Sequence, residues 1–139
     1  MKVKEILKLK GPEVFTIGDS KPIFEAMKVL VNNRVGALLV LNDSAKIVGI
    51  ISERDIVRIS YNEPDKFKEI PIKDIMTKNI IVVEPSDDIE YVESVMTHNK
   101  IRHLPVVSDK ILIGIISIGD VVKAQFKEIR AENKYLRDY

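Results

Sequence analysis

The chain contains no cysteine and no tryptophan, and only 6% of its residues are aromatic. Without thiols, disulfides, thiolate nucleophiles and thiolate metal sites are all excluded. Neither sign of charge is in excess: 22 lysines and arginines face 21 aspartates and glutamates, for a formal net charge of +1. That balance gives no broad basic field, so nucleic acid or an anionic membrane is not expected as a main partner. Long hydrophobic runs are missing too. The longest, near Ile111 to Ile118, falls far short of the ~20 residues a membrane span needs. The first ten residues alternate lysine with apolar side chains and lack the apolar core of a signal peptide, which points to the cytoplasm. The lysine-rich stretches Lys2–Lys10 and Lys66–Lys73 are interleaved with acidic residues and read as solvated faces. There are two histidines, His98 and His103, five apart across an expected helix end, a spacing that suits no common metal site. No nucleophile–base pair is visible, so no enzymatic activity is expected.

What is present is a repeat. The segment "VGIISERDIVR" (Val48–Arg58) lies over "IGIISIGDVVK" (Ile113–Lys123) without a gap, sharing Gly, Ile, Ile, Ser, Asp and Val. The echo extends upstream: Val14–Leu41 aligns with Ile80–Val107 at a constant offset of 66, and one residue is then dropped in a turn. Even the lead-ins rhyme, "VKEIL" at Val3 with "IKDIM" at Ile72. Two tandem units of about sixty residues therefore fill the chain to Lys123, divided as 1–65 and 66–124, with a tail at 125–139.

Each unit reads β-α-β-β-α, an α/β (α+β) fold. Short branched stretches, Val14–Ile17 and Ile80–Val83, predict strands. Ile23, Ala26, Met27, Leu30 and Val31 fall on a helical stripe, and Ile89, Val92 and Met96 repeat it. Asp19/Ser20 and Ser86/Asp87 are the expected caps of these helices. Paired apolar runs, Ala37–Leu41 with Ile47–Ile51 and Leu104–Val107 with Leu112–Ile116, predict hairpins. A second helix then starts near Ser52 and Ser117. A unit this small buries little surface alone, so the two are expected to cover each other around a pseudo-twofold axis, with Ser52/Asp55 and Ser117/Asp120 facing a shared cleft.

The retained Ser and Asp admit two readings. A serine caps a helix, and an acidic residue three positions on completes a capping box. The same geometry offers free N–H groups to a phosphate and a carboxylate to ribose hydroxyls. Gly49 and Gly114 belong to no phosphate-loop pattern and read as points of close packing within a strand.

"DIMT" at Asp74–Thr77, "NKIRHLPVV" at Asn99–Val107 and the paired "GIISERD" and "GIISIGD" together resemble the tandem CBS-domain module, the CBS pair named after cystathionine β-synthase. The likeness covers essentially all of Met1–Lys123. It implies a stand-alone regulatory module that senses adenine nucleotides (AMP, ADP, ATP) or S-adenosylmethionine-like ligands, pairs into a homodimer and acts on an effector protein. No cofactor beyond that regulatory ligand is implied. In such modules the aspartate grips the ribose and the preceding Ser or Thr lies near the phosphate. Carried onto this chain, one cleft would comprise Ser52, Arg54 and Asp55 with Ile81, Val82, Ile101, Arg102, His103 and Pro105, and Lys100 nearby. The other would comprise Thr16, Ile17, Val35, Gly36 and Ala37, with Phe15, against Ser117 and Asp120. Gly119, Gly36 and Ala37 stand in the second where Arg54, Arg102 and His103 stand in the first. A phosphate should therefore favour the Asp55 cleft. The alternative is a structural dimerisation module whose clefts stay empty. His103 has equal claim to a phosphate contact and to simple packing, and His98 is expected at an exposed helix end.

Beyond the repeats, Val122, Phe126, Ile129, Asn133 and Leu136 are spaced 4-3-4-3 along one expected helix from Val121 to Tyr139. They form either a short coiled-coil seam or a face that packs back onto its own domain.

Overall fold

The computed structural model describes residues 1–11 and 13–138, with side chains placed through Glu132. It divides into two compact units. One is contiguous, Val14–Ile80. The other is split, combining Met1–Glu13 with Ile81–Tyr139. The sequence repeat and the compact unit are thus different divisions of the chain, and neither unit boundary falls at 65/66.

In the contiguous unit β1 (Thr16–Gly18), β2 (Ala37–Leu41) and β3 (Ile47–Ser52) form a sheet in that order, β1 parallel and β3 antiparallel to β2. Helices α2 (Ile23–Asn33) and α3 (Glu53–Asn62) cover it. Most of the expected stripe is buried: Ile23, Ala26 and Leu30 pack with Leu38, Val40, Ile51 and Ile56, and Met27 lies partly buried against them, but Val31 is exposed. The split unit repeats the plan with α4 (Ile89–Asn99), the antiparallel pair β4 (His103–Ser108) and β5 (Ile111–Ser117), and α5 (Ile118–Asp138). Ile89, Val92 and Met96 pack there with Leu104, Val106, Ile116, Val121 and Ala124.

Two expectations are corrected. No strand forms at Ile80–Val83. Val83 alone makes a parallel bridge to Val106, its N–H donating to the Pro105 carbonyl (3.0 Å) and its carbonyl accepting from Val107 (2.9 Å). Pro85, two residues on, interrupts any longer ladder. In the first copy the strand is displaced to Thr16–Gly18. The helix caps differ as well. Pro22 and Asp88 hold the N-cap positions of α2 and α4 and make no side-chain cap bond. Asp87 instead turns back to accept from the Glu84 N–H at 2.7 Å.

The lead-ins take up the split. The first forms α1 (Val3–Lys10), which packs on the split unit: Val3 and Ile6 enter its core, and the N–H groups of Val3 and Lys4 donate to the carbonyls of Asp87 and Pro85. The second lead-in is a 3-10 turn, Ile72–Asp74, with Ile72 buried in the contiguous unit. The repeated glycines explain how these segments dock. A Cβ on Gly114 would stand 2.7 Å from Leu7 Cδ2; one on Gly49 would stand 2.5 Å from Met76 Sδ and 2.9 Å from the Thr77 carbonyl oxygen. Leu7 and Met76 are equivalent positions of the two lead-ins. The close packing read from the glycines is real, and its partner is the lead-in rather than a neighbouring strand.

Helix α5 runs unbroken through residues 124 and 125, so the tail continues the repeat's second helix. Val121 and Ala124 face the core, while Val122, Phe126 and Ile129 are exposed. The helix packs on its own unit through one face and leaves the first three residues of the predicted seam uncovered. The side chains of Asn133 and Leu136, and all of Tyr139, lie outside the described residues.

Candidate functional site

In the contiguous unit the hairpin register sets Ala37 opposite Ser52, where β3 gives way to α3, and the Glu53 N–H donates to the Gly36 carbonyl at 3.0 Å. The parallel ladder brings β1 alongside, Thr16 against Leu39 and Ile17 against Val40. Thr16, Ile17, Val35, Gly36, Ala37, Ser52, Arg54 and Asp55 therefore gather toward one end of one sheet. In the split unit His103 pairs with Ser117, and the Ile118 N–H donates to the Arg102 carbonyl at 2.9 Å. Ile81 and Val82 approach through the Val83 bridge, and Ile101 enters from α4. Pro105 is buried within β4. Each unit thus carries part of both expected ligand sets at one sheet end. Residues assigned to different clefts, His103 and Ser117, are immediate neighbours.

Both Ser-x-x-Asp motifs form capping boxes. Asp55 Oδ2 accepts from the Ser52 N–H (2.9 Å) and hydroxyl (3.1 Å), and the Asp55 N–H reaches back to Ser52 Oγ at 3.4 Å. Asp120 Oδ2 accepts from the Ser117 N–H at 2.9 Å, and the Asp120 N–H donates to Ser117 Oγ at 3.1 Å. The structural reading of the motif is therefore fulfilled in both copies. It uses one carboxylate oxygen. Among the described residues, no group hydrogen-bonds Oδ1 of either aspartate; Arg58 Nη1 lies 3.9 Å from Asp55 Oδ1, on a side chain 73% exposed.

The two ends differ in charge, and through a residue that the sequence did not single out. Lys10, the last residue of α1, places its ammonium 2.6 Å from Asp120 Oδ2 and 2.8 Å from the Ile115 carbonyl oxygen. Read from sequence as part of a solvated face, it has a side chain only 27% exposed. Burial alone would raise the Asp120 pKa. The hydrogen bonds from Lys10 and the Ser117 N–H, with the lysine's charge, outweigh it and hold the group below the usual aspartate value. His103 is pushed the other way from charge: burial first, then the Lys10 ammonium, lower its pKa, with Asp120 opposing and Arg102 assisting. Lys10 was invisible as a site residue because 110 positions separate it from Asp120. Arg54, Arg102 and Lys100 are exposed, Lys100 in the left-handed C-cap of α4. His98 is exposed, as expected. No group of three or more His, Asp or Glu residues among the described residues could hold a metal ion. No described helix is long and apolar enough to cross a membrane.

Comparison with known proteins follows the repeat. The family model of the CBS domain matches twice, at residues 3–62 and 72–127. A CBS domain-containing mitochondrial protein of Arabidopsis thaliana, CBSX3, is 35% identical across 99% of this chain, which spans 70% of that protein. A protein of Thermofilum pendens is 35% identical over 89% of the chain, which spans only 39% of its length. Among solved structures, a CBS-domain protein of Agrobacterium tumefaciens superimposes with a TM-score of 0.86 at 35% identity, covering 89% of this chain and 92% of that one. The CBS domain pair of protein MJ0100, solved in complex with 5′-methylthioadenosine and S-adenosyl-L-methionine, superimposes with a TM-score of 0.79 at 27% identity, covering 92% and 98%.

Proposed function

Because the chain belongs to the CBS-domain family, we propose that it is a non-catalytic regulatory module that binds adenine nucleotides or adenosyl ligands through Asp55 and Asp120. One observation carries the reading: each aspartate caps its helix with Oδ2 and retains Oδ1 as an acceptor suited to a ribose hydroxyl. The adenosyl ligands bound by the related MJ0100 pair support the chemical class. Occupancy would bias a partner protein by differential affinity for its states. The cytoplasm is the compartment that this reading assigns, and subcellular fractionation tests it against the mitochondrial location in the name of the Arabidopsis relative.

A thermal-shift screen with AMP, ADP, ATP and S-adenosylmethionine tests the proposal. A ligand at a hundredfold over its dissociation constant stabilises the fold by about 2.7 kcal/mol. Calorimetry should then show Asp55→Ala removing most AMP binding and Asp120→Ala removing less. Arg102→Ala should weaken AMP more than adenosine. Unchanged affinity in all three variants would sink the reading.

A second reading has its own support. Both capping boxes are complete without a ligand, and Val57/Val122 and Tyr61/Phe126, equivalent pairs at the offset of 65, are all exposed. The same apolar face presented twice suits a second copy of the chain. On that reading the module serves dimerisation and the aspartates are caps alone, so no adenosyl ligand would shift its melting.

A further inference from the structure

Lys10 does more than the docking of α1 requires. The helix is already seated by Val3 and Ile6 in the core, by Leu7 against Gly114 and by the 2.8 Å pair between Lys2 and Asp88. Yet its final residue carries an ammonium to the capping carboxylate of α5, close enough to His103 to weaken that side chain's basicity. The arrangement leaves donors and acceptors over. A lysine ammonium has three N–H groups. Two go to Asp120 Oδ2 and the Ile115 carbonyl, and no described residue accepts from the third. Lys10 takes the oxygen that the helix cap already uses, so Oδ1 stays available. A free hydroxyl acceptor and a free cationic donor thus stand side by side.

The first copy lacks this. The equivalent lead-in position, three residues beyond Met76 as Lys10 is three beyond Leu7, is Asn79. The cation nearest Asp55 in its own unit is Arg58, at 3.9 Å and largely exposed.

We propose that Lys10 is the anion-recognising residue of the Asp120 site, which therefore takes a phosphorylated hydroxyl compound, a nucleoside monophosphate, in preference to the free nucleoside. This rests on the reading of Asp120 as a ligand residue. It answers the apparent poverty of that helix start, where Gly119 stands in the place that Arg54 holds in the first copy. The cation comes from the chain's first helix instead. Lys10 also neutralises Asp120, so an anion approaching Oδ1 meets a balanced pair rather than a bare carboxylate.

The test uses the Asp55→Ala protein, in which the Asp120 site is read alone, with AMP and adenosine as probes in calorimetry. Adding Lys10→Met should weaken AMP by about tenfold or more while leaving adenosine within about twofold. Lys10→Arg should restore most of the AMP affinity. Melting of each variant without ligand shows that the fold is kept, and Lys10→Gln serves if Met perturbs it. Equal losses for AMP and adenosine would reduce Lys10 to a support for Asp120 and overturn the proposal. Tighter binding of both would show an internal competitor and overturn it equally. If residual AMP binding ignored Asp120→Ala, or none remained in Asp55→Ala protein, the reading of Asp120 itself would fall and this proposal with it.

Discussion

Ser52 and Asp55 work for α3 whether or not a solute is present, and the same two side chains are candidates to hold one. The roles separate by substitution. Ser52→Ala removes the acceptor for the Asp55 N–H and should cost about 1 kcal/mol, read in chemical denaturation without ligand. Asp120 and His103 predict the response to acid. His103 lies below the ordinary histidine value of 6.5 in the folded chain, so the unfolded chain takes up the proton first as pH falls through that value. Asp120 lies below the ordinary carboxylate value, so its contribution holds above that value and is lost as pH falls through the folded one. Both losses run in the same direction, in two steps. Denaturant midpoints followed from neutral pH downward should fall first near 6.5, and His103→Gln should remove that first step alone. At this scale the sequence told much. The Ser–Asp repeat offered the caps as one of its two readings, since a capping box is local. Lys10 escaped because its partner is tertiary: nothing within ten residues distinguishes it from Lys8.

Among elements, the glycines carry the sharpest contrast. Adding a methyl to Gly114 presses on Leu7 Cδ2, the free end of a side chain that can rotate. Adding one to Gly49 presses on Met76 and also on the Thr77 carbonyl oxygen, which accepts from the Ile50 N–H at 3.0 Å. Backbone held in a doubly hydrogen-bonded bridge yields less than a leucine tip. Gly49→Ala should therefore destabilise the fold by clearly more than Gly114→Ala, and equal losses in thermal melting would contradict the contact geometry. Most elements were legible because their patterns are short-ranged: apolar stripes for α2 and α4, paired runs for the hairpins. The strand expected at Ile80–Val83 was not, since branched residues favour a ladder but cannot reveal that only Val83 meets one. Nor did the rhyme of the lead-ins betray that one becomes α1 and the other a 3-10 turn, or which core each would join.

For the whole molecule, the split unit makes an unusual demand. Ile6 is contiguous with the first repeat but buried with Leu104, Val106 and Ile116 of the second. Ile6→Ala should cost about 2–5 kcal/mol, and hydrogen exchange should quicken across residues 81–124 rather than 14–80. Assembly is tested on the exposed faces. If a second copy covers them, pairing Val57→Asp with Val122→Asp should lower the sedimenting mass to that of one chain at micromolar concentration, without loss of helix content.

The split also sets an order of events at the ribosome. Residues 14–80 form a continuous stretch whose core can close as soon as it emerges. Helix α1 is made before any of it, yet its seat against β5 and α5 does not exist until the chain has grown past Asp120, 110 residues after Lys10. At roughly 10 residues per second that is a delay of about ten seconds. For that interval Val3, Ile6 and Leu7 have no core to enter, and a helix made before the contiguous unit becomes the piece that completes the split one.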